Sequence, residues 1–241
     1  MKILAIESSS LVASAAIVED DILVAEYTVN YKVTHSQTLL PMIDEIIRMT
    51  QTDKKSIDAI AVSGGPGSYT GLRIGSATAK GLGMALDIPL IHVPTLKAMA
   101  YNAYGYGGII CPIMDARRSQ VYTGIYEFEG GVFNTLWDDC AVSFDELLEK
   151  LEELAVKRNK KIIFIGDGIP VYREKIAGYF ANEKAYEFAP ASMNRQRAAS
   201  VAALACIYYS EGRTETAAEH LPEYLRLSQA ERELKEREQH G

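Results

Sequence analysis

Apolar residues fall in short runs broken by polar turns, and the spacing within the runs alternates between strand-like and helix-like. Residues 2–6 (Lys-Ile-Leu-Ala-Ile) predict a buried strand. Residues 12–18 and 22–29 predict two more, joined by the acidic turn Glu19-Asp20-Asp21. Helical spacing follows: Leu39, Leu40, Ile43, Ile46 and Ile47 make an apolar stripe, with Thr34 and Gln37 at capping-box spacing ahead of it. Pro41 interrupts this stripe. It lacks an amide and costs about 3 kcal/mol in a helix interior, so a kink or a later helix start is expected. A strand at 59–63, a helix at 70–86, a strand at 90–93 and a short helix from Thr95 complete the first half.

The second half has a similar rhythm. Strands are predicted at 109–114, 120–128 and 132–137. Ser143 and Glu146 form a capping box ahead of Leu147, Leu148, Leu151 and Leu154. A strand at 161–165 ends in Gly166-Asp-Gly168, and helices are predicted at 171–180 and 198–209. Each half therefore reads three strands, helix, strand, helix. The pattern predicts an α/β chain of two lobes, with mixed sheets flanked by helices and packed face to face. The first lobe is expected over 1–104 and a smaller second lobe over 105–227, its last helix returning to the first. Residues 228–241 are dense in Glu, Lys and Arg and predict a solvated helix or frayed end.

The glycine-rich stretch from Gly64 to Gly75 runs from a predicted strand into a predicted helix. Such turns often approach a phosphate, because glycine permits unusual backbone angles and the first helical amides are unpaired. Neither common nucleotide motif is completed. No Lys-Ser or Lys-Thr closes the loop, and Thr70 stands where a third glycine of G-x-G-x-x-G belongs. Gly71, Gly75, Ala79 and Gly83 lie four residues apart, on one ridge of the helix. Glycine inside a helix costs about 1 kcal/mol relative to alanine, so the ridge implies a packing requirement. Two contacts satisfy it: a tight helix–sheet contact inside the monomer, or a close helix–helix contact with another chain.

Composition narrows the function. The 241 residues are 48% hydrophobic, enough for a core, yet no apolar run approaches the ~20 residues of a membrane span. The N-terminus lacks a long apolar segment with a cleavage site, and a cytoplasmic location is expected. Cys111, Cys140 and Cys206 are scattered and read as reduced thiols. A net charge of −7 makes the chain a poor nucleic-acid binder by itself, because neutralisation of phosphates by Lys and Arg supplies most of that affinity. A role near RNA would need a basic partner.

Candidate chemistry is sparse. Glu7-Ser-Ser-Ser10 follows the first strand, where actin-like ATPases and sugar kinases turn an acid and small hydroxyls toward magnesium and phosphates. A turn held by serine hydrogen bonds to nearby backbone is the other reading. His35 has Leu39 at the +4 position where a metal-binding partner would stand, so no metal is expected there. His92 reads as a hydrogen-bonded interior or edge residue. Asp115, Arg117 and Arg118 read as a surface loop with ion pairs. Ser68 is not in a G-x-S-x-G elbow, since Tyr69 is followed by Thr70. No catalytic residue, cofactor or metal ligand set is predicted.

The segment Gly65-Pro-Gly-Ser-Tyr-Thr-Gly-Leu-Arg-Ile-Gly75 with Ala79-Lys-Gly81 resembles the signature of the bacterial TsaB (YeaZ) proteins. Ile3-Leu-Ala-Ile-Glu-Ser-Ser9, His35-Ser36 through Pro41, Ile43-Asp44, Asp115-Ala-Arg-Arg118, Val121-Tyr122 and Pro222-Glu-Tyr-Leu-Arg226 fit the same family. The resemblance reaches to about residue 230 and leaves the tail outside. It implies the two-lobed actin-like/sugar-kinase-like (ASKHA, RNase H-like) fold. It also implies a non-catalytic scaffold or activating subunit for transfer of a threonylcarbamoyl group to the adenosine next to the anticodon, in tRNAs reading codons that begin with A. The implied partners are a metal-dependent TsaD-like paralogue, a TsaE-like ATPase, a second copy of the chain in isolation, and tRNA only through the complex. The paralogue carries a His-x-x-x-His pair where this chain has His35 and Leu39. The resemblance and the helix patterns together predict a partner interface of Leu39, Leu40, Ile43, Ile47, Gly71, Leu72, Gly75 and Ala79. Weak nucleotide or phosphate contacts fall to Glu7, Ser8 and Ser9. The alternative is a small-molecule kinase or ATPase of the same superfamily. A protease reading finds no nucleophile–base set in the sequence.

Overall fold

Strand β1 (Lys2–Glu7) is buried on both faces, which is why its apolar run does not alternate. The computed structural model describes residues 1–225 apart from 33, 181 and 183, so the charged tail 228–241 lies outside the described residues. Strand β1 pairs antiparallel with β2 (Val12–Glu19), which pairs with β3 (Ile22–Asn30). On its other edge β1 runs parallel to β4 (Ala59–Gly65), followed by β5 (Leu90–Pro94). The order is β3-β2-β1-β4-β5.

The second sheet repeats this plan with β6 (Ile109–Asp115), β7 (Gln120–Glu129), β8 (Val132–Ser143), β9 (Ile162–Ile165) and β10 (Tyr186–Phe188). Its order is β10-β9-β6-β7-β8, the same topology offset by five strands. The hydrophobic pattern does not predict β10, because three residues, of which Tyr186 and Phe188 are only half-buried, are too few to show a period. Strand β8 also runs to Ser143, six residues past the predicted end at Trp137.

Helices α1 (His35–Thr50) and α2 (Tyr69–Leu86) cover the outer face of the first sheet. Leu39, Met42, Ile43 and Ile46 pack there against Leu4, Ile6, Ile17 and Ile60. Helices α4 (Phe144–Arg158) and α5 (Ile169–Tyr179) cover the outer face of the second, with Phe144, Leu147, Leu151 and Ile176 on Ile109, Cys111 and Phe164. The two remaining helices lie between the sheets and are exchanged. Helix α3 (Thr95–Tyr101) follows the first sheet but packs Leu96 and Met99 on Ile110, Tyr126 and Ile163 of the second. Helix α6 (Ala198–Ser210) follows the second sheet but packs Val201, Ala202 and Ala205 on Ile3, Ala5 and Ala61 of the first.

Helix α6 has no side-chain cap of its own. Its first amides are satisfied from the first lobe: Ala198 N donates to Ser14 Oγ (3.0 Å) and Ala199 N to Glu26 Oε1 (3.0 Å), while Arg197 pairs with Glu26. Asn102, just past α3, donates to the Met193 and Arg195 carbonyls at 2.9 and 2.7 Å, so the two exchanged helices are tied together at one end.

Helix α1 departs from expectation at its start. It begins at His35 and continues through Pro41, and Thr34 makes no side-chain cap bond. Pro41 and Gln37 are both exposed, so water can take the carbonyl that the missing amide leaves free. Ser143 does cap α4, accepting from Glu146 N at 3.2 Å.

The small-residue ridge lies inside the monomer. A Cβ on Gly71 would collide with the Ser8 carbonyl, one on Gly75 with Ser8 Oγ, and one on Gly83 would come within 2.9 Å of Leu90. Ala79 is fully buried in the same layer. The predicted partner interface is therefore corrected. Leu39, Ile43, Gly71, Leu72, Gly75 and Ala79 are core residues, turned toward the sheet because that side of each helix covers β1, β2 and β4. Of the eight residues, Leu40 remains exposed and Ile47 half-buried. Gly75→Leu is expected to lower stability by roughly 2–3 kcal/mol through overpacking. Gly81→Leu is expected to leave stability unchanged or raise it by about 1 kcal/mol, since a Cβ there meets nothing within 4 Å. Urea melts of the two variants against the parent chain measure the difference.

Candidate functional site

A cleft of about 760 Å³ opens between the lobes where β1, β4 and β6 end. Its first-lobe wall is Ser9, Ser10, His35 and the turn from Gly67 to Thr70. Its second-lobe wall is Asp115, Arg117 and Asp167, and Tyr224 closes one side. The glycine-rich turn reaches this place because Gly65 adopts a positive φ of 129° and Gly67 has no room for a side chain against Ser9. Ser68 then starts α2, accepting from Gly71 N (3.3 Å) while its own amide donates to the Ser9 carbonyl (2.6 Å).

Glu7 is not part of the cleft wall. Its carboxylate lies behind Ser9 and accepts from Ser9 N at 2.6 Å. Burial pushes its pKa up to about 7, against hydrogen bonds from Ser9 and Ser63 that pull it down. Ser8 is also committed internally: its amide donates to Ser63 Oγ (3.4 Å) and its hydroxyl to the Gly71 carbonyl (2.9 Å). Of the three residues expected to contact phosphate, Glu7 and Ser8 are thus held in a structural turn. Ser9 alone borders the cleft.

His35 donates from Nε2 to the Ser10 carbonyl at 2.7 Å, leaving Nδ1 buried without a partner among the described residues. It stitches the start of α1 to the β1–β2 turn. The Asp115–Arg118 segment does not carry the expected ion pairs: neither arginine forms one among the described residues. Asp115 instead accepts from Arg117 N at 2.8 Å, within a turn where Arg117, Arg118 and Ser119 all have positive φ. Arg117 faces the cleft opposite the α2 start, so one wall attracts anions. Asp115 and Asp167 on the same side favour a cation, and burial raises the Asp167 carboxyl while a 3.0 Å bond from Gln196 restrains it. Asp167, hidden in a Gly-Asp-Gly turn, has no sequence signal beyond the glycines.

The outer face of α1 and α2 is the second feature. Leu40, Met49, Tyr69 and Met84 are exposed there. Along α2 the exposed ridge is Arg73, Ala77, Gly81 and Ala85, again four residues apart. The helix thus has small residues on two opposite ridges, of which the sheet-facing one is the ridge of Gly71, Gly75, Ala79 and Gly83.

Glu7 gives a pH signature. Between the ordinary carboxyl value near 4.5 and about 7 the folded chain holds a proton that the unfolded chain releases, so stability falls as pH rises through this window. Glu7→Gln keeps an acceptor for Ser9 N. It is expected to be close to neutral at pH 4.5 and stabilising by about 3 kcal/mol at pH 8, measured by paired thermal melts.

Comparison with known proteins agrees with this geometry. The family model described as TsaD, tRNA N6-adenosine threonylcarbamoyltransferase, matches residues 23–234. The tRNA threonylcarbamoyladenosine biosynthesis protein TsaB of Bacillus subtilis is 33% identical, over 96% of this chain and 96% of its own. The TsaB protein of Escherichia coli is 29% identical over 97% and 98%. Among solved structures, YeaZ from Pseudomonas aeruginosa superposes with a TM-score of 0.74 at 24% identity, covering 93% of this chain and 99% of that one. A second Pseudomonas aeruginosa structure, an uncharacterized protein with similarity to peptidase YEAZ, gives 0.77 over the same shares, and both speak to the fold alone. The duplicated sheets, the exchanged helices and these full-length matches place the chain in the TsaB (YeaZ) family, within the wider group that the TsaD model describes.

Proposed function

We propose that the chain is a non-catalytic scaffold and activating subunit in the transfer of a threonylcarbamoyl group to the adenosine beside the anticodon of tRNA. The observation that carries this reading is the uncovered outer face of α1 and α2. A ridge of Arg73, Ala77, Gly81 and Ala85, flanked by Leu40 and Met84, lets another helix pair approach closely. The occupant is a TsaD-like metal-dependent paralogue. In its absence a second copy of the chain takes the same face, since a two-fold pairing of like surfaces closes on itself. A TsaE-like ATPase joins the pair.

The absence of a catalytic role is supported by the state of the turn residues. Leu39 occupies the place of a second metal-binding histidine and is buried in the core. His35, Ser8 and Glu7 are spent on holding α1 and α2 to the β1–β2 turn. The net charge of −7 supports contact with tRNA only through the complex, in the cytoplasm. No helix among the described residues is long and apolar enough to cross a membrane. The inter-lobe cleft favours the second reading, a small-molecule kinase or ATPase, which requires nucleotide binding by the isolated chain.

The test is light-scattering mass after size exclusion, for the chain alone and mixed with the TsaD-like protein of the same organism. A one-to-one complex is expected. Gly81→Arg is expected to abolish it with thermal stability retained, because position 81 is open in the monomer. A Gly81→Arg chain that binds the paralogue as tightly as the parent would overturn the placement of the interface. Saturable ATP binding by the isolated chain with no complex would favour the kinase.

A further inference from the structure

The segment after α6 returns to the first lobe and lies along the free edge of β5. Glu215 and Leu90 exchange backbone hydrogen bonds at 2.8 and 2.9 Å, and Glu223 N donates to the Gly64 carbonyl at 2.7 Å. This strap brings two of its residues, Glu215 and His220, beside His92 of β5. The donor atoms of the three side chains lie within 4.8 Å of one another. His220 is fully buried: Nδ1 meets Glu215 Oε1 at 2.7 Å, and Nε2 has no partner among the described residues. The His92 ring stands 5.8 Å from the His220 ring and rests on the backbone of Gly64, where any Cβ would strike it. Its Nε2 faces Glu223 at 3.8 Å.

We propose that His92, Glu215 and His220 form a zinc-class divalent metal site that staples the strap to the first lobe. Two imidazoles and a carboxylate are the donor types that Zn²⁺ takes in a tetrahedral set, with bonds of about 2.1 Å. Rotation of the partly exposed His92 and Glu215 side chains closes the remaining gap. Glu223 or water completes the shell. The Glu215 and Glu223 carboxylates beside two imidazoles offset the charge of a dication. The ligands come from two distant parts of the chain, so no local spacing announces them. Their consequence is positional: the strap ends where Tyr224 packs on Tyr69 at 5.0 Å, at the mouth of the inter-lobe cleft.

The experiment uses the full chain stripped with EDTA, then titrated with Zn²⁺ by calorimetry and with Co²⁺ by visible absorption. One ion per chain is expected, with a raised melting temperature and slowed amide exchange over residues 214–224. His92→Gln and Glu215→Gln, both at partly exposed positions, are each expected to lower affinity at least about tenfold and to remove the tetrahedral Co²⁺ spectrum, with circular dichroism unchanged. No uptake, or uptake unaltered in both variants, would overturn the site; the latter would place the ion elsewhere, as on the tail.

Discussion

The contact between the side-chainless ridge of α2 and Ser8 sets the geometry of the first lobe. With Gly71 and Gly75 against the Ser8 carbonyl and hydroxyl, α2 lies close enough for Ser8 to donate to the Gly71 carbonyl. That approach brings Ser68 N to the Ser9 carbonyl and leaves His35 within reach of Ser10. The β1–β2 turn, the start of α1 and the start of α2 are thereby one hydrogen-bonded knot. The turn that the sequence alone offers to a phosphate is filled here by the protein's own helix. Glu7, trapped beneath it with a pKa near 7, shows what that filling costs.

Much of this was legible in the sequence, and the omissions have physical reasons. Long or strongly periodic elements announce themselves: the continuous apolar run of β1, the stripe of α1 and the leucines of α4 each predict their own burial. The duplicated order of elements follows from those patterns, apart from β10, which is too short to show a period. Direction was harder. Gly71, Gly75, Ala79 and Gly83 demand a close neighbour, but spacing cannot tell whether that neighbour is the chain's own sheet or another molecule. The ridge turned inward, while Ala77, Gly81 and Ala85, equally small and equally spaced, turned outward.

Sites made by distant segments were the least visible. Asp167 joins the cleft only because the lobes face one another, and His92 meets His220 only because the last described segment doubles back along β5. Neither meeting leaves a motif, since the residues that create it are separated by most of the chain. The local turn at Glu7–Ser10 was visible, yet its reading as a phosphate contact depended on whether the side chains point out or in. Burial decided that, and burial is a property of the packed molecule.

The exchange of α3 and α6 has a further consequence. Each sheet is roofed on its inner face by a helix that belongs, in chain order, to the other half. Neither half can therefore complete its core before both are made, and α6 cannot satisfy its first amides until Ser14 and Glu26 are in place. The order of elements is repeated along the chain, but the two halves share one interior. Any rocking of the lobes that widens the cleft must be a sliding of α3 over α6, a shear within a shared interior and not a hinge between two finished bodies.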